Sequence, residues 1–188
     1  MELSLRQAAQ ADASHIAALV NLSAQGLPST LWAAQADFRQ DPMEVGRDIA
    51  RREDNVLSWR NGVIAEVQGR VAGLVMSYLI APEPVVIDSG THPVYRPLIR
   101  LQNQALQSRY VNALAVYPEY QNKGIAARLM ANVEERPGPG GTSVMVLNNN
   151  AVGQGFYASL GYEEAARLPL IKADWQIDST EWVLMRKT

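Results

Sequence analysis

Cysteine is absent from this 188-residue chain, which removes disulfides, thiolate metal sites and cysteine nucleophiles together. Histidine is nearly as scarce. The two present, His15 and His92, lie far apart in sequence, so no histidine pair has metal-ligand spacing and no metal is expected. No run approaches the ~18 consecutive apolar residues of a membrane span. The opening, MELSLRQAAQ, carries an acid at position 2 and lacks the apolar stretch of a secretory signal. Basic residues are not clustered either: 17 Lys and Arg face 19 Asp and Glu, for a net charge of −2. A nucleic-acid binder usually shows a concentrated basic face, so none is expected as a partner. These absences point to a cytoplasmic protein with neither a membrane nor a nucleic acid as its partner.

What is present is ordinary for a globular chain: 47% hydrophobic and 19% charged residues. The length suits one domain, 1–188. Residues 3–8 alternate like a strand. Asp12 stands where a helix N-cap would precede ASHIAALVNLSA, whose Ile16, Leu19 and Val20 share one face. Helical patterns follow in TLWAAQADFRQ and in PMEVGRDIARRE, the latter opening on proline. Residues 63–67 and 70–80 read as a hairpin closed by Gln68 and Gly69. The stretch 81–108 holds Pro82, Pro84, Pro93, Pro97 and a short helical pattern, and reads as an insertion between the third and fourth strands. Then come a buried strand (109–116), a helix with an Ile125, Leu129, Met130, Val133 stripe, a strand (142–147), a helix ending near Gly161, and a last alternating strand, STEWVLMRK.

The stretch LAVYPEYQNKGIA (114–126) places a glycine at the very start of a helix. The first turn of a helix has four N–H groups without internal partners and a partial positive charge. A phosphate satisfies both, and a bare glycine lets it approach the backbone. Lys123 adds a cation at the rim. The same glycine also serves a loop that merely turns into a helix, and the local pattern does not separate the two. It matches neither the Gly-x-x-x-x-Gly-Lys loop of nucleotide triphosphatases nor Gly-x-Gly-x-x-Gly.

Downstream lies a second motif, NNNAVGQGFYASLGY. With both motifs in this order, the sequence resembles the GNAT superfamily of acyl-CoA-dependent N-acetyltransferases, specifically over residues 109–162. The resemblance implies an α+β fold with α/β/α layers. Its central sheet would be mixed but mostly antiparallel, with about six to seven strands, and two parallel strands (109–116 and 142–147) splayed at the cofactor site. It also implies acetyl-CoA as cosubstrate. The main chain of Leu114, Ala115 and Val116 would hold it, with the loop residues Gln121, Asn122, Lys123, Gly124, Ile125 and Ala126, and Asn150. Tyr157 takes the family position of the general acid, and Gly153, Gly161 and Tyr162 complete the second motif. Pairing of two copies into a homodimer is expected on the same ground. The chain departs from the usual pattern at Gln121 (more often arginine), Ala126 (more often glycine) and Gly153 (more often alanine).

Acetyl transfer needs a neutral amine, a stabilised oxyanion and a departing thiolate. Deprotonating a lysine amine at pH 7 costs about 4.6 kcal/mol, an α-amine only about 1 kcal/mol. The strand 109–116 carries no acid to act as base. Glu66 on the hairpin is the candidate, directly or through water. Asp88 is more remote, Glu119 reads as a solvated charge, and a water chain is a further route. The helices at 12–52 and the insertion would shape the acceptor pocket, with Trp32, Phe38, Tyr78 and Tyr95 as candidate lining, core packing being the alternative for each. The acceptor is a small amine, a peptide N-terminus or a lysine. The alternative is a CoA-binding sensor or interaction module of the same fold without turnover.

Overall fold

The computed structural model describes residues 2–188. Seven strands follow the order β1-β2-β3-β4-β5-β7-β6 in one sheet, mostly antiparallel, with β4 and β5 as its parallel pair. They are β1 (Leu3–Gln7), β2 (Gly62–Val67), β3 (Arg70–Leu79), β4 (Arg109–Val116), β5 (Thr142–Leu147), β6 (Glu163–Pro169) and β7 (Glu181–Lys187). The helices are α1 (Ala13–Ser23), α2 (Leu27–Ala33), α3 (Pro42–Arg51), α4 (Tyr95–Gln102), α5 (Ile125–Glu134) and α6 (Ala151–Ser159). The chain divides into two compact units. One holds the residues up to Tyr78 together with Asn112–Glu135, the other Leu79–Val111 and Arg136–Thr188. The stretch 81–108 therefore belongs to the second unit. Among the described residues no helix is long and apolar enough to cross a membrane.

In the first unit β1, β2 and β3 form an antiparallel meander with Leu3 opposite Val67 and Gly62 opposite Met76. Gln68 (φ 51°) and Gly69 (φ 74°) both take left-handed conformations, as a two-residue hairpin turn requires. One sheet face is covered by α1 and α3. Ile16, Leu19, Val20 and Ala50 pack there on Ile64, Leu74, Met76, Ala113 and Ala115. Each fully buried large aliphatic contributes about 1.5–3 kcal/mol. The Ile125, Leu129, Met130 and Val133 stripe of α5 is buried as its spacing predicts. A Cβ on Gly73 of β3 would lie 2.9 Å from Ala115 O and 3.4 Å from Leu129 Cδ1, so only glycine lets these three elements approach so closely.

Two expectations are adjusted here. The helical pattern through 30–40 ends at Ala33, and α2 starts earlier, at Leu27, with Pro28 in its first turn. Asp12 does precede α1, but its carboxylate does not cap it. It accepts instead from Ala9 N (2.8 Å) and from Arg6.

In the second unit β5 is antiparallel to β7 over its whole length and parallel to β4 at Arg109, Tyr110 and Val111, opposite Thr142, Ser143 and Val144. Pairing of β4 with β5 thus covers only the first part of β4. The outermost strand, β6, pairs with β7 and has mostly exposed side chains. The β5–α6 connection is tied down by Asn148, whose Oδ1 accepts from Ser179 Oγ, Thr180 N and Glu181 N. Trp175 stacks on Trp182 beneath this knot, ring centroids 6.0 Å apart.

Candidate functional site

The loop between β4 and α5 is built from its own residues. Tyr117 N donates to Ala72 O (2.8 Å), so the end of β4 stays on the sheet. A single turn at Pro118–Tyr120 follows. Gln121 Nε2 reaches back to Val116 O at 3.1 Å, and Lys123 Nζ to Glu119 O at 2.8 Å. The Lys123 ammonium also lies 5.4 Å from the centre of the Tyr120 ring, a distance at which the ring quadrupole attracts a cation. Asn122 (φ 58°) and Gly124 (φ 76°) are left-handed and steer the chain into α5.

The start of α5 differs from the starts of α3 and α6. Asp41 caps α3 through Met43 N and Asn150 caps α6 through Gly153 N, whereas no side chain caps α5. Its first-turn amides therefore have neither intrahelical acceptors nor a cap. A Cβ at Gly124 would meet nothing within 4 Å, so packing does not demand glycine there; the positive φ and the open approach do. Ile125 contributes its amide only, because its side chain is core. Gln121, Asn122, Lys123 and Gly124 are exposed, and Ala126 is partly so. An uncapped, dipole-positive helix start behind a bare backbone is suited to a diphosphate. Upstream in β4, Ala115 and Val116 are buried and Leu114 is half-buried, all three on the strand that feeds the loop.

In the second unit, Asn150 Oδ1 accepts from Gly153 N at 2.9 Å. A Cβ at Gly153 would stand 2.6 Å from Asn150 Nδ2. The departure from alanine at this position thus makes room for the cap. Tyr157 is buried, with the Phe156 and Tyr162 rings edge-on at 5.2 and 5.6 Å. Burial first, and the Tyr162 hydroxyl second, push its pKa well above the ordinary tyrosine value. The group therefore keeps its proton throughout the neutral range and is suited to donate rather than to accept.

Glu66 sits at a bulge in β2. Its Oε1 accepts from Arg6 Nε at 2.7 Å, while the other face of the same guanidinium binds Asp12 in a fork (2.7 and 2.8 Å). The Arg6 hydrogen bonds hold the Asp12 carboxyl below its usual range, and burial opposes them. Glu66 is thus committed to an ion pair. Asp88 is fully exposed in a turn closed by Thr91, whose N and Oγ1 donate to it and lower its pKa. Of the candidate pocket aromatics, Trp32 is core: the Cβ position of Gly46 lies 2.5 Å from its ring, so α2 rests directly on α3. Phe38 is 91% exposed with the Arg39 guanidinium above it, Tyr78 is half-buried, and Tyr95 on α4 is 42% exposed.

One pair has no signature in the local sequence. His15 Nδ1 on α1 lies 2.9 Å from the hydroxyl of Tyr117, 102 positions away. No local pattern links them; the only signal was that Tyr117 sits immediately before the loop. Among the described residues no group of His, Cys, Asp and Glu is arranged to hold a metal ion.

A family profile described as "Acetyltransferase (GNAT) domain" matches residues 58–164. The chain is similar to an N-acetyltransferase from Staphylococcus aureus Mu50, 15% identical, with 97% of this chain and 98% of that chain covered at TM-score 0.65. It is similar to Arabidopsis thaliana Naa50, solved with the bisubstrate analogue CoA-Ac-MVNAL, at 16% identity, 100% and 99% coverage and TM-score 0.57. The ribosomal-protein-S18-alanine N-acetyltransferase from Escherichia coli gives 17%, 98% and 92%, and 0.53. At such identities these likenesses concern the fold. No curated protein gives a significant sequence match. The profile covers more than half of the chain and includes both sequence motifs, and on that ground the chain belongs to the GNAT acetyltransferase family.

Proposed function

We propose that the protein transfers an acetyl group from acetyl-CoA to a primary amine by direct attack within a ternary complex. The observation that carries this reading is the uncapped start of α5 behind left-handed Gly124. There the amides from Asn122 to Ala126 would receive the diphosphate, with Lys123 at the rim and Gln121 bracing the loop against Val116 O. The main chain of Leu114, Ala115 and Val116 would take the pantetheine and face the developing oxyanion. Asn150 would contribute chiefly by fixing the start of α6.

Tyr157 is the proposed general acid. Its raised pKa makes complete proton transfer to a thiolate (reference pKa ~8.5) unfavourable, so its part is to donate a hydrogen bond as the thiolate forms. Glu66 is the carboxylate candidate for base, acting from within its ion pair with Arg6. The acceptor is an amine of a small molecule, a peptide N-terminus or a lysine. Two of the similar solved structures, the ribosomal-protein-S18-alanine N-acetyltransferase and Naa50 with its CoA-peptide bisubstrate analogue, support an amine acceptor. Nucleic acid and membrane have no part in this reading.

The engagement of Glu66 favours one second reading, a CoA-binding module without turnover. Because the chain has no cysteine, CoA is the only thiol that turnover releases. Amine-dependent thiol release from acetyl-CoA is expected, and Tyr157→Phe should lower it about 100-fold with acetyl-CoA affinity unchanged. Release that neither the amine nor the substitution alters would leave only the binding module.

A further inference from the structure

The loop assignment leaves His15 and Tyr117 without a role. Tyr117 follows Val116 directly, about one strand rise (~3.3 Å) beyond the main chain assigned to CoA. Its ring packs, half-buried, against the core under α1. His15 lies on the exposed side of the first turn of α1 and meets the Tyr117 ring edge-on at 5.9 Å. The charged groups facing the pair are Asp12, one turn before His15 and tied to Arg6, and Glu119, just beyond Tyr117. An inner hydroxyl joined to an outer imidazole is the arrangement of a proton exit.

We propose that Tyr117 and His15, in place of the Glu66 carboxylate that Arg6 occupies, together remove the proton of the acceptor amine, Tyr117 as the catalytic group and His15 as the relay to solvent. The proposal rests on the acetyltransferase reading. An N–H bond of the ammonium breaks as an O–H bond forms at Tyr117. The original Tyr117 O–H bond breaks as an N–H bond forms at His15 Nδ1. Tyr117 ends neutral, as it began, and the His15 imidazolium returns its proton to water. The step requires the tautomer of His15 with its proton on Nε2, so that Nδ1 accepts from Tyr117. Burial and the Glu119 charge raise the Tyr117 pKa, which rules out a lasting phenolate but not a hydroxyl that gives one proton while taking another.

The relay also selects its substrate. Deprotonation at pH 7 is about 6-fold unfavourable for an α-amine (~7.8) but about 2,500-fold for a lysine amine (~10.4). The acceptor class it fits is therefore an α-amine.

Both substitutions keep the fold testable, because His15→Gln is at an exposed position and Tyr117→Phe preserves the buried ring. Wild type and the two variants would be titrated with acetyl-CoA by calorimetry. Thiol release would then be followed from pH 5.5 to 9 with a pentapeptide bearing a free α-amine, and with the same peptide Nα-blocked and carrying one lysine. The expected result is unchanged acetyl-CoA affinity, a preference for the free α-amine, and kcat/KM lower by about 100-fold in each variant. Added imidazole should restore part of the His15→Gln rate and none of the Tyr117→Phe rate. Variants that keep the wild-type rate would overturn the relay and leave the acetyltransferase reading standing. A wild type that binds no acetyl-CoA, or releases no thiol with either peptide, would overturn both.

Discussion

Gly124→Glu separates the chemistry of the α5 start from its mere conformation. A non-glycine residue at φ 76° carries a left-handed penalty of about 1–2 kcal/mol. No clash adds to it, since the Cβ position is open to 4 Å. For a chain of this length such a penalty lowers Tm by about 2–8 °C. Gly69 provides the matched control: φ is 74°, the Cβ position is equally open, and the residue closes a hairpin. Gly69→Ala and Gly124→Ala should therefore destabilise alike, but only the second should weaken acetyl-CoA binding. The carboxylate of Gly124→Glu adds repulsion. A unit charge at ~6 Å from a phosphate charge costs about 2.8 kcal/mol at an effective dielectric constant near 20, which is about a 100-fold loss of affinity. Calorimetric titration of acetyl-CoA into the four proteins, with Tm measured on each, reads both effects. A folded Gly124→Glu protein that binds acetyl-CoA as the wild type does would refute the assignment of this helix start to the diphosphate.

Two stability tests follow from the side-chain geometry. Arg6→Ala should cost about 1–3 kcal/mol from the loss of its charged hydrogen bonds, towards the low end because the guanidinium is 38% exposed. Asp12 is the group whose pKa is depressed in the fold, so its share of stability is full above the unfolded value of about 3.9 and fades as pH falls through the lower folded value; acid denaturation followed by circular dichroism should be less steep for Arg6→Ala below pH ~4. Asn150→Ala should cost about 1 kcal/mol as a lost cap. Gly153→Ala should gain nothing alone, because its methyl displaces the Asn150 amide, yet should stabilise by up to ~1 kcal/mol in an Asn150→Ala background. Additive effects in that double-mutant cycle, measured by urea unfolding, would contradict the crowding seen at Gly153.

The sequence was most legible where a local period sets the structure. The α5 stripe, the hairpin with its Gln68-Gly69 turn and the full span of β4 are where their patterns place them. β6 passed unnoticed because an edge strand of mostly exposed residues, EEAARLP, carries little apolar alternation. The sequence leaves Trp32 open between pocket lining and core, and Gly46, fourteen residues on, decides for the core by letting the ring lie against α3. The Arg6–Asp12–Glu66 cluster and the His15–Tyr117 pair were invisible for a different reason. Each joins side chains that only the tertiary fold brings together, and neither has a spacing that a local pattern could carry.

The loop before α5 is tied to itself: Gln121 to Val116 O, Lys123 to Glu119 O, and Arg128 N to Gly124 O. Fixing a residue's backbone costs about 1–2 kcal/mol of conformational entropy, and in this loop the cost falls on folding rather than on the encounter with a ligand. The loop is preorganised. Under the proposed function, little of the interaction energy with a diphosphate would be lost to arranging these amides, and the association rate would be governed by diffusion and orientation rather than by a loop waiting to close.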